Sequence, residues 1–173
     1  MKKTDWILAT LLTVGGVLLM VENISGIADE SLVHPLSTNT WVMLPVFLLT
    51  TVPILWRRRH ILAVVGVTVA AMAVHLVAFG WVTRCGAGLP LAFALSYAVA
   101  RFAGNLRNQA IGLAGVLAVI LLVLAQDSSI GGLPSGLEIA LPGAALFYGI
   151  GLAVQNRSAR KHAVQPAAEH ATV

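Results

Sequence analysis

His75 is the residue whose type and setting in this chain could do chemistry. It stands inside the apolar run 61–82, roughly 21 Å along a helix from the cationic trio Arg57–Arg58–Arg59 at 1.5 Å per residue. Thr68, Met72, His75 and Phe79 share one helical face. An imidazole in lipid is by default a proton relay or a ligand contact. The plainer reading is an interhelical hydrogen bond from a neutral ring, worth about 0.6–2 kcal/mol. No Asp or Glu stands in any span core, so a relay lacks partners and the structural reading is favoured. Tyr97 and Tyr148 place two more hydroxyls in or near apolar runs, Tyr97 one helical turn before Arg101. These three are the candidate intramembrane polar residues. No catalytic, metal or cofactor-binding residue is expected, and no cofactor. Cys85 is a lone cysteine, which excludes an internal disulfide or a Cys-based metal cage. A phosphate loop, an HExxH pair and a Gly-x-Ser-x-Gly elbow are all missing from the sequence.

The elements that must position these residues follow from composition. Of the 173 residues, 58% are apolar and 10% charged, against roughly 25% charged in soluble domains. That is too little polar surface to cover a globule in water, and the apolar residues come in long blocks. The expected fold is all-α: a polytopic integral membrane protein, a six-helix transmembrane bundle over 1–154 with both termini cytoplasmic. Spans are expected at 6–21, 41–56, 61–82, 89–103, 110–125 and 139–154, followed by a short flexible cytoplasmic tail over 155–173. Trp6, Trp41, Trp56 and Trp81 all fall at span ends, where indole rings prefer the interface.

Orientation follows from charge. With both ends inside, Lys2, Lys3, Arg57, Arg58, Arg59, Arg101, Arg107, Arg157, Arg160 and Lys161 are cytoplasmic, and only Arg84 lies outside. Short loops rich in Lys and Arg stay inside. Arg57, Arg58, Arg59, Arg101, Arg107, Arg157, Arg160 and Lys161 are therefore expected as topology and lipid-headgroup anchors. The net charge of +4 and pI near 9.8 reflect these flanks and not a nucleic-acid surface. Two other threadings compete. The segment through Ala28 has the outline of a signal peptide cleaved after that residue, though its apolar run is slightly long for one. A re-entrant hairpin over 89–125 would put Arg101, Asn105, Arg107, Asn108 and Gln109 near mid-membrane at a cost of several kcal/mol.

Small residues recur at Ala92–Ser96–Ala100–Gly104, Ala110–Ala114–Ala118 and Ala145–Gly149–Ala153, stripes suited to close helix packing within the chain or across a dimer. Pro45 and Pro53 are expected to interrupt the second span. Pro142 is expected near the start of the sixth, where proline costs little.

The junction Val52–Pro53–Ile54–Leu55–Trp56–Arg57–Arg58–Arg59–His60–Ile61–Leu62–Ala63–Val64 resembles that of the N-terminal six-span membrane sensor module of sensor histidine kinases from high-GC Gram-positive bacteria. Leu95–Ser96–Tyr97–Ala98–Val99–Ala100 is similar to a later span end of that module, and Asn156–Arg157–Ser158–Ala159–Arg160–Lys161 to its exit toward a dimerising helix. The likeness covers about residues 35–162. Ile61 stands where that pattern has proline, and the kinase core is missing from this sequence, so no catalytic activity carries over. What the resemblance implies is a non-catalytic membrane sensing and signalling module of a two-component system in a bacterial inner membrane. It would relay bilayer state or a membrane-bound ligand to a cytoplasmic partner. Its partners would be the lipid bilayer and either a second copy in a homodimer or a signalling protein, with no nucleic acid. The alternative is a small membrane transporter or channel.

Overall fold

The computed structural model describes residues 3–25, 34, 37, 38, 40–82, 88–128 and 133–170, the side chains of 161–170 excepted. The elements are α1 Lys3–Ser25, α2 Met43–Thr51 running into a 3-10 helix Val52–Trp56, α3 Ile61–Phe79, α4 Gly88–Phe102, α5 Leu106–Gln126 and α6 Leu133–His170. Among the described residues the only sheet-like pairing is one isolated parallel bridge, Val82 with Asp127. An apolar chain without water must satisfy its backbone internally, and uninterrupted helices do so.

Each segment expected as a span falls on a helix, but the helices differ in reach. α1, α3, α5 and α6 are long and apolar enough to cross a membrane, while Met43–Trp56 and Gly88–Phe102 are shorter. The short pair has local causes. Pro53 lies at the start of the 3-10 stretch, where the missing N–H and fixed φ end the α-helical ladder. α4 ends at Gly104, whose φ of +79° is open to glycine without steric cost.

Two proline expectations are corrected. Pro45 is the third residue of α2 and so begins that helix, since a first-turn N–H has no intrahelical acceptor. Pro142 lies well inside α6, because that helix starts at Leu133; Pro134 occupies the first-turn position instead. Over 155–170, where the sequence reading has a flexible tail, the backbone is helical. The Gln, Ala, Arg and Lys residues of that stretch favour helix.

α4 is the innermost helix. Leu91, Ala92, Leu95, Ser96, Ala98, Val99 and Ala100 are fully buried, packed chiefly by α6 and α5. α3 bridges α5 to α2, and α1 rests on α2 and the 3-10 turn. Of the three small-residue stripes, the first is inside over its α4 members Ala92, Ser96 and Ala100, while Gly104 beyond that helix is exposed. Ala110 and Ala114, and all of Ala145, Gly149 and Ala153, are exposed. The outer surface is rich in large apolar side chains, including Leu11, Leu18, Val74, Val77, Ile111, Ile139 and Leu146. Water-soluble monomers seldom carry apolar patches this extensive. All four tryptophans are exposed. Trp6 and Trp56 flank the arginine end of the bundle, and Trp41 and Trp81 the opposite end.

Candidate functional site

The charged residues, His75 and the tyrosine hydroxyls gather at the two ends of the bundle, while between them the Thr13 and Thr51 hydroxyls lie 3.0 Å apart and Thr68 donates to Thr50 O at 3.3 Å. At the arginine end the turn after the 3-10 helix closes through Arg57 N to Ile54 O, Arg59 N to Trp56 O and His60 N to Trp56 O. This tight turn aims Arg57 and Arg58 at the first turn of α1. Arg57 donates from Nε (3.1 Å) and Nη2 (2.9 Å) to Asp5 Oδ1. Arg58 donates from Nε to Asp5 Oδ1 (2.9 Å) and Oδ2 (2.7 Å), and from Nη2 to Thr4 Oγ1 at 3.3 Å. Asp5 is fully buried and Arg57 is 7% exposed. The guanidiniums of Arg58 and Arg101 both lie against the Phe102 ring, at 5.2 and 5.6 Å from its centroid, a favourable cation–π geometry. The turn between α4 and α5 therefore lies at the same end of the bundle as the arginine trio.

That turn is built by its own sequence. Asn105 caps α5, its side chain accepting from Asn108 N at 2.8 Å, the usual service of an N-cap residue. Asn108 Nδ2 donates to Ala103 O and Gln109 Nε2 to Gly104 O, both at 3.2 Å. Tyr148 then crosses from α6 and donates to Gln109 Oε1 at 2.6 Å. Tyr97 Oη accepts from Arg101 Nη1 at 3.3 Å, as the one-turn spacing expects. The two tyrosines thus serve different partners.

At the opposite end His75 is 1% exposed. Its Nδ1 lies 3.0 Å from Gln126 Oε1, and Gln126 Nε2 donates to Met72 O at 3.1 Å. Because the amide nitrogen faces a carbonyl, its oxygen faces the ring, and this orientation places the imidazole proton on Nδ1. Phe79 and Phe47 meet the ring edge-on at 4.8 and 6.3 Å. Nε2 is buried without a hydrogen-bond partner. Directly beyond, Val82 N donates to Gln126 O and Ser128 N to Val82 O, at 2.9 and 3.0 Å. His34 stacks on Trp81 at 4.0 Å between ring centroids. His75 is thus anchored near one end of the bundle, level with the last residue of α5.

The remaining anchor residues are apart from these clusters. Arg59, Arg107, Arg157 and Arg160 are exposed; the Lys161 side chain, Lys2 and Arg84 lie outside the described residues, as does Cys85. Among the described residues no group of three His, Cys, Asp or Glu side chains is placed to share a metal ion. Sequence reasoning missed Asp5, Gln126, Gln109 and Phe102. Asp5 carried a usable signal, as an acid beside Trp6 at the head of an apolar run; the two glutamines carried none.

No family model, no curated protein and no solved structure matches the chain.

Proposed function

We propose that this chain is a non-catalytic membrane-embedded module with both termini cytoplasmic. It senses bilayer state or a membrane-bound ligand and passes a helix movement to a cytoplasmic partner or a second copy of itself. The observation that carries this is α6, a single helix of 38 residues. At 1.5 Å per residue it is about 57 Å long, nearly twice the ~30 Å hydrocarbon core. A displacement of its apolar half along α4 would be transmitted rigidly to the basic half around Arg157 and Arg160. The arginine end fits the cytoplasmic face by the positive-inside rule, and the exposed tryptophans at both ends fit interfacial belts. The six-span threading, with α2 and α4 shorter than the bilayer core, and the two-component sensor role belong to this proposal. The threading rests on the apolar blocks and the basic connections between them, and the sensor role on the likeness of the 52–64 junction.

Removing residues 160–173 tests it. The expected result is loss of partner recruitment or of dimerisation with the rest of the bundle still folded. Unchanged recruitment and dimerisation would overturn the relay. Against a transporter, the charged side chains gather at the ends, and the buried polar groups between them are hydroxyls, those of Thr50, Thr51, Thr68 and Ser96. Flux in liposomes that vanishes with His75→Ala would reverse this ranking.

A further inference from the structure

A cleft of about 280 Å³ opens between α4, α5 and α6, lined by Val116 and Ile120 of α5, Leu141, Ala144 and Tyr148 of α6, and Ser96 of α4. Ser96 is fully buried and its hydroxyl has no hydrogen-bond partner. Among the described hydroxyls it shares this with Ser128, which lies beyond the end of α5. Ser25, Thr50, Thr51 and Ser158 each return their hydroxyl to a carbonyl of their own helix, the common refuge of a helical hydroxyl. Ser96 does not, and an unmade buried hydrogen bond is costly. The Tyr148 proton is already committed to Gln109.

We propose that this cleft binds a neutral lipophile, a chain or ring of roughly ten carbons, bearing one oxygen that accepts from Ser96. The volume exceeds the ~150 Å³ of an apolar cavity that takes up benzene, yet is far too small for a helix some 10 Å across. A lone water is a poor occupant, because it needs two to four polar partners and the walls are almost wholly apolar. Leu117 and Leu141 on the cleft wall are exposed, so the entrance is lateral. The source is therefore the bilayer, which is where this inference rests on the membrane-embedded reading above. Since α6 forms one wall, occupancy would bear directly on the long helix.

The test uses purified full-length protein in phosphatidylcholine nanodiscs and two diazirine probes, a ten-carbon alcohol and the matching alkane. Labelled peptides are mapped by mass spectrometry. The alcohol should label α5 and α6 at the cleft. Ser96→Ala should lower that labelling about fivefold and leave the alkane's unchanged, and Ala144→Phe should block both probes. Thermal unfolding of both variants checks folding; should Ala144→Phe not fold, Ser96→Ala alone decides. Undiminished alcohol labelling in Ser96→Ala would overturn the proposal. So would label spread evenly over the outer faces of α1 and α3, or a cross-link joining two copies through Leu117, which would assign the cleft to a dimer. None of these readouts depends on signalling, so a failed relay and an empty cleft are separable.

Discussion

Arg57 and Asp5, 52 positions apart, form an ion pair in which two guanidinium nitrogens donate to one carboxylate oxygen at 2.9–3.1 Å. The contact ties the head of α1 to the junction between the 3-10 helix and α3. It also changes the electrostatics of the trio: Asp5 sits between Arg57 and Arg58, so the exposed excess positive charge falls on Arg58 in part and on Arg59. Removing one member of a buried pair leaves the other charge stranded, at a cost of about 3–5 kcal/mol. Asp5→Asn leaves the buried Arg57 guanidinium stranded and should therefore lower stability by about 3 kcal/mol, whereas Arg57→Ala leaves Asp5 paired with Arg58 and should cost about 1.5–3 kcal/mol. Arg59→Ala, at an exposed site, should stay within about 0.5 kcal/mol of the parent. Denaturant titration of the detergent-solubilised protein reads all three, and equal effects at 57 and 59 would dissolve the distinction.

The His75–Gln126 contact predicts a different pattern. Gln126→Ala strands the His75 Nδ1 proton in an apolar surround and should cost about 1–3 kcal/mol. Replacing both partners together, as His75→Phe with Gln126→Leu, should cost less than the sum of the single changes, because matched apolar groups leave no orphan. A double-mutant cycle with no coupling would mean that the two side chains do not meet.

The orientation of the bundle gives a third expectation. With Cys85→Ser as background, a cysteine replacing exposed Arg59 should react with a membrane-impermeant maleimide only after the cytoplasmic face is opened. A cysteine replacing exposed Trp41, before α2 at the opposite end, should react from outside in intact cells. The reverse labelling would invert the threading.

How far the sequence could be read depended on range. The apolar blocks place all the helices, because burial and backbone satisfaction in an apolar solvent act over one contiguous run. The helix ends are less legible: the polar head Lys3 to Asp5 joins α1, and the α6 helix extends well past both ends of its apolar core. His75, Tyr97 and Tyr148 stand out by type alone, yet their partners do not. Tyr97–Arg101 is a one-turn pair and was foreseeable, whereas Gln126 and Gln109 reach their histidine and tyrosine across 51 and 39 positions. Such pairings depend on how helices rotate against each other, which periodicity here barely constrains because apolar residues surround most of each helix. The same rotation explains why the stripe on α4 is internal while Ala145–Gly149–Ala153 faces outward.

That rotation of α6 yields the last prediction. Gly151 packs on α4 so closely that a methyl group there would stand 2.7 Å from both Tyr97 O and Ala100 Cβ, whereas one at Gly149 would meet nothing within 4 Å. Backbone cannot yield as a flexible side chain can, so Gly151→Ala should force the helices apart and cost about 1–3 kcal/mol. Gly149→Ala should be neutral or stabilise by about 0.4–1 kcal/mol, since it only reduces unfolded-chain freedom. Two glycines two positions apart thus differ in the sign of one substitution, because 200° of helical turn separates their faces. Thermal unfolding of both variants under one condition reads this directly; the opposite ordering would mean that α6 meets α4 with the Ala145–Gly149–Ala153 face.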